Sequence, residues 1–312
     1  MNMRTKQVEH IGPVLEEKGE YQVIDCEACG FAHLLPIPDS GTVEHMYREA
    51  YYSTMLPDYI ERHTQDQAWW QLVHGLRLDT MASLLPQNTK RILDIGSGPG
   101  IFLLTARNKD WDGTGYEPSR QAWEYSTQTL GLTVQNDFFT EHTPVEAGTF
   151  DAVHMSDVLE HIADPHSLIS GIKKVLRPGG VFCVVVPNDF NPIQKVLRSE
   201  KNFEPWWVSP PDHINYFSFD SLQGLLERHG FTVQVQEASF PIDFLLLMGQ
   251  NYINNDTLGR NCHRWRIKME ETFSEFGLEA ALIDVYRALA KHRIGRHAVI
   301  YATAPETPEH RG

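Results

Sequence analysis

A chain of 312 residues that is 41% hydrophobic, 11% aromatic and 22% charged can bury a large core, and this is not the composition of a disordered polymer. Lys plus Arg total 27 against 41 Asp plus Glu, a net charge of −14, which argues against broad phosphate binding because that requires clustered cations. Four cysteines are too few for a disulfide framework, and the longest apolar runs, Val181–Pro187 and Phe244–Met248, fall far short of the ~20 residues of a bilayer span. The first twenty residues carry no apolar stretch of signal-peptide type, so the expectation is a soluble cytoplasmic protein with no membrane partner.

In chain order, residues 1–41 are polar and carry Cys26-Glu27-Ala28-Cys29-Gly30, then a Pro- and Gly-containing stretch that predicts turns and extended chain. Residues 42–89 place Val43, Met46, Tyr47, Ala50, Tyr51, Trp69, Leu72, Val73, Leu76, Met81 and Leu84 at helical spacing, with a break at Leu56-Pro57. From Lys90 the texture changes. RILDIG, DGTGYEPS, GLTVQND, FDAVHMS and VFCVVVPN read as strands, separated by the helical patterns IFLLTARNK, QAWEYSTQTL and HSLISGIKKVL. Strands alternating with helices imply an α/β fold with right-handed crossovers and a parallel sheet covered on both faces. FDSLQGLLERH is a further helix, capped by Ser218 or Asp220 and stopped at Gly230; FTVQVQEASF and HAVIYATA are the last strands. A helical stretch over about Asn261–Lys291 interrupts them. The expected organisation is an extension (1–41), capping helices (42–89), a core (90–240 and 296–305), a helical insertion (241–295) that covers the acceptor or contacts a second copy of the chain, and a disordered tail (306–312).

The strongest signal is Leu93-Asp94-Ile95-Gly96-Ser97-Gly98-Pro99-Gly100 between a strand and a helix. Its glycines let the backbone turn sharply and approach a ligand. The third glycine of a dinucleotide site is replaced by Ile101, and the Asp94 carboxylate repels phosphate and welcomes an ammonium group. Glu117 and Asp137 end the next two strands, where they can accept from ribose hydroxyls and an adenine amino group, with Phe138 beside the ring. S-adenosylmethionine has these parts and no phosphate.

With LDIGSGPG, Glu117, NDF, FDAVHMSDVLEHI, LRPGG and HGF in order, the chain resembles the class I S-adenosylmethionine-dependent methyltransferases over about 91–240 plus the closing strand. The resemblance implies a doubly wound, mostly parallel sheet with an antiparallel last strand. It also implies Asp94, Gly96, Ser97, Gly98 and Gly100 at the methionine end, Glu117 and Pro118 at the ribose, Asp137 and Phe138 at the adenine, and Ser156 beside the sulfonium chain.

A hydroxyl acceptor needs a base as its bond to the methyl carbon forms. The segments after the fourth and fifth core strands offer His161 and, in a long loop (PNDFNPIQKVLRSEKNFEPWWVSPPDHINYFS), His213, which is preferred, with Tyr216 beside it and Trp206 and Trp207 as stacking surface for an aromatic or sugar acceptor. PPDHINYFS resembles a segment of methyltransferases acting on small molecules and glycan precursors, so O-methylation of a small molecule or saccharide precursor is expected. Arg260, His263, Arg264 and Arg266 form a cationic group in the insertion that could meet a sugar phosphate, though a solvated helix face explains it as well. The Cys26-x-x-Cys29 pair has zinc-knuckle spacing; related methyltransferases pair such a knuckle with a second Cys-x-x-Cys, which this chain lacks, leaving His10 and His33 as the nearby substitutes. A degenerate knuckle without metal is therefore expected. The competing readings are a metal-dependent RNA 3′-end ribose methyltransferase using Glu160, His161 and His213, which the acidic charge disfavours, a non-catalytic partner subunit, and a nicotinamide enzyme.

Overall fold

We describe residues 9–39, 41, 48, 58–86 and 90–306 from a computed structural model of the chain. The expected helical positions at 43–57, including the Leu56-Pro57 break, and the tail beyond 306 lie outside the described residues.

The core is a seven-stranded sheet in the order β10-β11-β8-β7-β4-β5-β6. Its strands are β4 (Arg91–Ile95), β5 (Asp112–Tyr116), β6 (Thr133–Gln135), β7 (Phe150–Ser156), β8 (Leu176–Pro187), β10 (Thr232–Ala238) and β11 (His297–Thr303). β4 to β8 pair in parallel, and β11 lies antiparallel between β8 and β10. The parallel sheet is the one the β-α-β alternation predicts, and its doubly wound order with an antiparallel last strand is what the methyltransferase resemblance implies. Burial explains the apolar texture of β8: every residue from Val181 to Val186 is fully buried, as a strand covered on both faces must be. The crossover helices are α3 (Ile101–Asn108), α4 (Arg120–Glu124, continued by a π-wound turn to Thr129), α5 (Pro165–Val175) and α7 (Phe219–Arg228). Ser218, one of the two expected caps, accepts from the Ser221 N–H and starts α7.

Three segments differ from expectation. Residues 14–35 form an antiparallel meander, β1 (Val14–Lys18), β2 (Tyr21–Cys26) and β3 (Phe31–Leu35), where turns and extended chain were expected. Gly and Pro content masks these short strands; Val23, Ala32 and Leu34 are buried in a small separate core, while Phe31 packs on the main core. The long segment after β8 holds a helix, α6 (Pro192–Lys201), set by an Asn191 capping box, and a short strand, β9 (Asn215–Tyr216), which adds to the meander in the order β1-β2-β3-β9. The insertion splits at Gly277 (φ 67°) into α9 (Asp256–Glu275) and α10 (Glu279–Lys291), preceded by α8 (Asp243–Leu247). Among the described residues no helix is long and apolar enough to cross a membrane.

The N-terminal helices are α1 (Tyr59–Gln65) and α2 (Gln67–Ser83). Within the insertion α9 packs on α2, α8 packs on α6 and α10 packs on β10. The Glu270 carboxylate accepts from Trp69 Nε1 and from the Tyr286 hydroxyl, His263 lies 3.0 Å from Asp66, and the Arg266 guanidinium covers the Trp69 ring at 4.4 Å. The cationic group is thus divided: Arg266 and His263 turn inward to hold α1 and α2, and only Arg260 and Arg264 are exposed.

Candidate active site

A cavity of about 630 Å³ opens at the carboxyl ends of β4, β5 and β7. Open α/β sheets place ligands there, because the strand tips end in loops and helix starts whose N–H groups are unpaired. The glycine turn forms its floor. Gly96 has φ 69°, and a Cβ there would lie 2.4 Å from Val158 Cγ2, so side-chain-free backbone is required. Ser97 Oγ is buried, lines the cavity and has no hydrogen-bond partner among the described residues. Gly100 is set back from the lining, serving as the left-handed start of α3.

Glu117, at the tip of β5, is buried and accepts from the Gly98 and Ser119 N–H groups, each at 2.8 Å. Burial outweighs these bonds and pushes its carboxyl up to about 7. Asp94 also lines the cavity, but its Oδ1 accepts from His154 Nδ1 at 2.7 Å, and His154 stacks on Phe102. Burial raises the Asp94 carboxyl and lowers the His154 imidazole. The expected free carboxylate facing an ammonium group is therefore half engaged inside the protein. Asp137 is exposed at the rim, where its Oδ1 accepts from the Phe138 N–H and pairs with Arg48 at 2.7 Å. Pro118, Phe138 and Ser156 line the cavity as well.

The other end differs more from expectation. His161 lines the cavity, with Nδ1 donating to the Asp212 carbonyl at 2.7 Å and Nε2 3.7 Å from Glu160 Oε1. Burial alone would lower it, but the hydrogen bond to Asp212 and the charges of Glu160 and Asp212 raise it to about 9. Glu160, fully enclosed, is pushed up by burial. His213 stands behind His161, ring to ring at 4.8 Å, off the cavity lining, and burial lowers it to about 4. Tyr216 and Trp207 are likewise off the lining: both are buried in the small core with Val23, Leu34 and Val208, and Trp206 packs on it. The Tyr216 hydroxyl accepts from the Ser209 N–H, and burial raises it. Tandem tryptophans in a loop looked like a stacking surface because their partner, the meander, was not legible as a sheet.

The aromatic wall comes instead from α1 and α2. Tyr59, His63, Trp70 and His74 line the cavity, with His63 stacked on Trp70 at 4.7 Å. The i, i+4 pairs 59/63 and 70/74 share a helix face, and that spacing could have found them. Asp157 also lines the cavity and was not assigned a role; burial would raise its carboxyl, but His297 at 3.3 Å and the Ser156 hydroxyl hold it well below the usual range. It occupies a left-handed conformation, φ 55°, of the kind that concentrates at functional sites.

Asp94, Glu117, Asp137, Glu141, Asp157 and Asp164 line the cavity, and no Lys or Arg does among the described residues. Such a lining suits a cationic, phosphate-free ligand and not a pyrophosphate. A methyltransferase-domain family model matches residues 62–236, more than half of the chain. The chain belongs to this family, the class I S-adenosylmethionine-dependent methyltransferases. The glycine cradle, the orphaned Ser97 hydroxyl and the acidic lining fit that cofactor.

The chain is 34% identical over 110 residues to a ubiquinone biosynthesis O-methyltransferase of Psychrobacter cryohalolentis, covering 33% of this chain and 42% of the relative. It is 28% identical over 146 residues to the protein of the same name from Ralstonia nicotianae, covering 41% and 60%. The chain thus spans about half the length of the curated relatives it matches. Among solved structures, a chain of a Haloferax volcanii complex that contains the Trm112 methyltransferase activator superposes with a TM-score of 0.54 at 17% identity, over 85% of this chain and 100% of that one, a likeness of fold.

Proposed function

We propose that this methyltransferase-family protein O-methylates a small aromatic acceptor, a phenol or quinol. One observation carries the reading: a single cavity joins the glycine turn and Glu117 to the Ser156–His161 segment and to an aromatic wall, so donor and acceptor would share one enclosure. Its volume is in the ~300–1,000 Å³ range of small-molecule sites. When bound, S-adenosylmethionine supplies an electrophilic methyl carbon on a sulfonium. In this reading Asp94 and the 96–98 turn hold the methionine end, Glu117 the ribose, and Asp137 with Phe138 the adenine. Tyr59, His63 and Trp70 orient the acceptor ring and exclude water, which is the main contribution a protein makes to such a displacement.

The acceptor proton goes to His161 rather than His213, because His161 lines the cavity beside Ser156–Asp157 and His213 does not. Asp212 holds its Nδ1, and Nε2, 3.7 Å from Glu160 Oε1, is the nitrogen that would take the proton. Since His161 is raised to about 9, the basic form grows in on the alkaline side, and the rate should climb as pH rises toward that value. Trp206 and Trp207, packed on the meander core and off the cavity lining, serve neither a sugar nor an aromatic acceptor in this reading, and the relatives named for ubiquinone biosynthesis support a quinone-precursor acceptor.

One observation favours a second reading. Donor atoms of Glu160, His161 and His213 lie within 4.8 Å of one another and could hold a divalent cation, as metal-dependent ribose methylation of RNA ends would require. The absence of Lys and Arg from the described cavity lining weighs against an RNA end. Labelled-methyl transfer assayed over phenols, quinols, nucleotide sugars and RNA ends, with and without chelator, separates these readings. Transfer to a phenol unaffected by chelator supports the first; chelator-sensitive transfer confined to RNA ends overturns it. His161→Gln should lower phenol transfer by ~10²–10⁴ while donor affinity measured by calorimetry stays within about threefold.

A further inference from the structure

We infer that His10, Cys26, Cys29 and His33 form a closed, structural zinc site that fastens the residue 10–35 meander, whose last strand pairs with the segment carrying His213. The four donor atoms lie within 4.8 Å of one another, on a His-x15-Cys-x2-Cys-x3-His pattern. His10 Nδ1 is 3.7 Å from Cys26 Sγ, 3.4 Å from Cys29 Sγ and 3.1 Å from His33 Nε2. A tetrahedral zinc with Zn–S of ~2.3 Å and Zn–N of ~2.0–2.1 Å sets sulfur and nitrogen donors ~3.6 Å apart and two nitrogens ~3.3 Å apart. The observed spacings follow that pattern. Two thiols and a second imidazole surround the one Nδ1, as donors around a shared ion do.

The surroundings agree. His33 Nδ1 donates to the Leu34 carbonyl at 2.9 Å, which fixes the tautomer and leaves Nε2 with a free lone pair toward the cluster, the orientation that metal-bound histidines adopt. The Cys26–Gly30 turn is closed by the Gly30 N–H to the Cys26 carbonyl, and Gly30 is left-handed at φ 71°. The Cys29 carbonyl accepts from Arg228. Both cysteines are free thiols, and Cys26 and His33 are buried. None of the four residues lines the cavity, and with all four positions filled by protein the site keeps no open coordination position. Its role is therefore to fasten. His33 pairs in register with Asn215, the Leu34 N–H donates to the Ile214 carbonyl, and Asn215 Nδ2 donates to the Leu159 and Ile162 carbonyls on either side of His161. Metal binding thus fixes the meander, the meander fixes the 214–216 strand, and that strand fixes the His161 turn.

The site stands independently of the proposed reaction, and so does its test. Full-length protein produced with zinc in the medium is analysed for metal content, together with His10→Ala and Cys29→Ser. The expected result is about one zinc per chain, falling at least ~5-fold in both variants. Protein refilled with cobalt should show thiolate charge-transfer bands and the intense visible bands of a tetrahedral ion, with the thiolate bands weakened by Cys29→Ser. Donor affinity in His10→Ala should stay within about threefold of the parent, because His10 precedes β1 and lies off the cavity. A folded, cooperatively melting parent protein that holds no zinc overturns the inference. So does undiminished zinc in both variants, or a cobalt form without thiolate bands. If Cys29→Ser fails to fold, the parent metal content, the cobalt spectrum and His10→Ala still decide.

Discussion

At the donor end of the cavity each facing group comes from a strand tip or the turn that follows it. Gly96, Ser97 and Gly98 follow β4, Glu117 follows β5, and the Glu117 oxygens are held by N–H groups of Gly98 and Ser119 close by. At the end proposed for the acceptor, His161 is held by Asp212, 51 residues further on, and the segment bearing Asp212 and His213 is placed by pairing with a meander nearly two hundred residues earlier in the chain. The donor end is built from local turns, and the acceptor end from long-range pairing. Substitutions at the first should act mainly on donor binding, and substitutions at the second on turnover and on the order of the meander.

The largest expected effect that could break this contrast is at Trp207. It is a buried anchor of the meander core, so Trp207→Ala should destabilise the protein by ~3–5 kcal/mol, seen in denaturant melts, while donor affinity of the folded fraction is retained. A stable variant with lost acceptor affinity would instead return Trp207 to the acceptor surface. The next effect is a dependence of stability on pH. His161 is raised from 6.5 to about 9, so its stabilisation is complete below about 6.5 and is lost as pH rises through about 9. Glu160, raised by burial from 4.5 to about 8, acts in the same direction but from lower pH, its contribution full below about 4.5 and lost as pH rises through about 8. Together they should make denaturation midpoints fall across this window, by up to ~3 kcal/mol from the histidine. His161→Gln should flatten the fall, and a parent profile flat from pH 6.5 to 9 would contradict the assigned environment.

Gly96→Ala should cost ~1–3 kcal/mol, expressed as weaker donor binding by calorimetry. The left-handed backbone and the Val158 methyl 2.4 Å from the new Cβ both oppose it. Unchanged affinity there would mean that the turn does not cradle the donor. The smallest effect belongs to Trp206→Ala. Off the cavity lining, Trp206 should leave turnover within about threefold of the parent; a drop beyond ~10-fold would show that the acceptor reaches the meander after all.

The core was legible because its strands and helices announce themselves locally. The all-buried run from Val181 to Val186, the glycine turn and the Ser218 cap each involve residues within a few positions of one another. Glu117 and Ser156 could be placed for the same reason: a strand tip has a fixed position in this sheet. The meander was harder to read, because its short strands lie between Gly and Pro residues and complete their sheet only with Asn215–Tyr216. Trp206, Trp207 and Tyr216 therefore looked like site residues until the surface that buries them was known.

The sequence by itself determined the order of the core elements, the glycine cradle and the acidic strand tips, since hydrophobic period and backbone freedom act over a few residues. Tertiary structure alone decided that His161 and not His213 meets the cavity, that Tyr59, His63 and Trp70 form its aromatic wall, and that two histidines complete a donor set with Cys26 and Cys29. Each of these depends on which distant segments pack together, and packing is settled by burial across the whole chain rather than by neighbours along it.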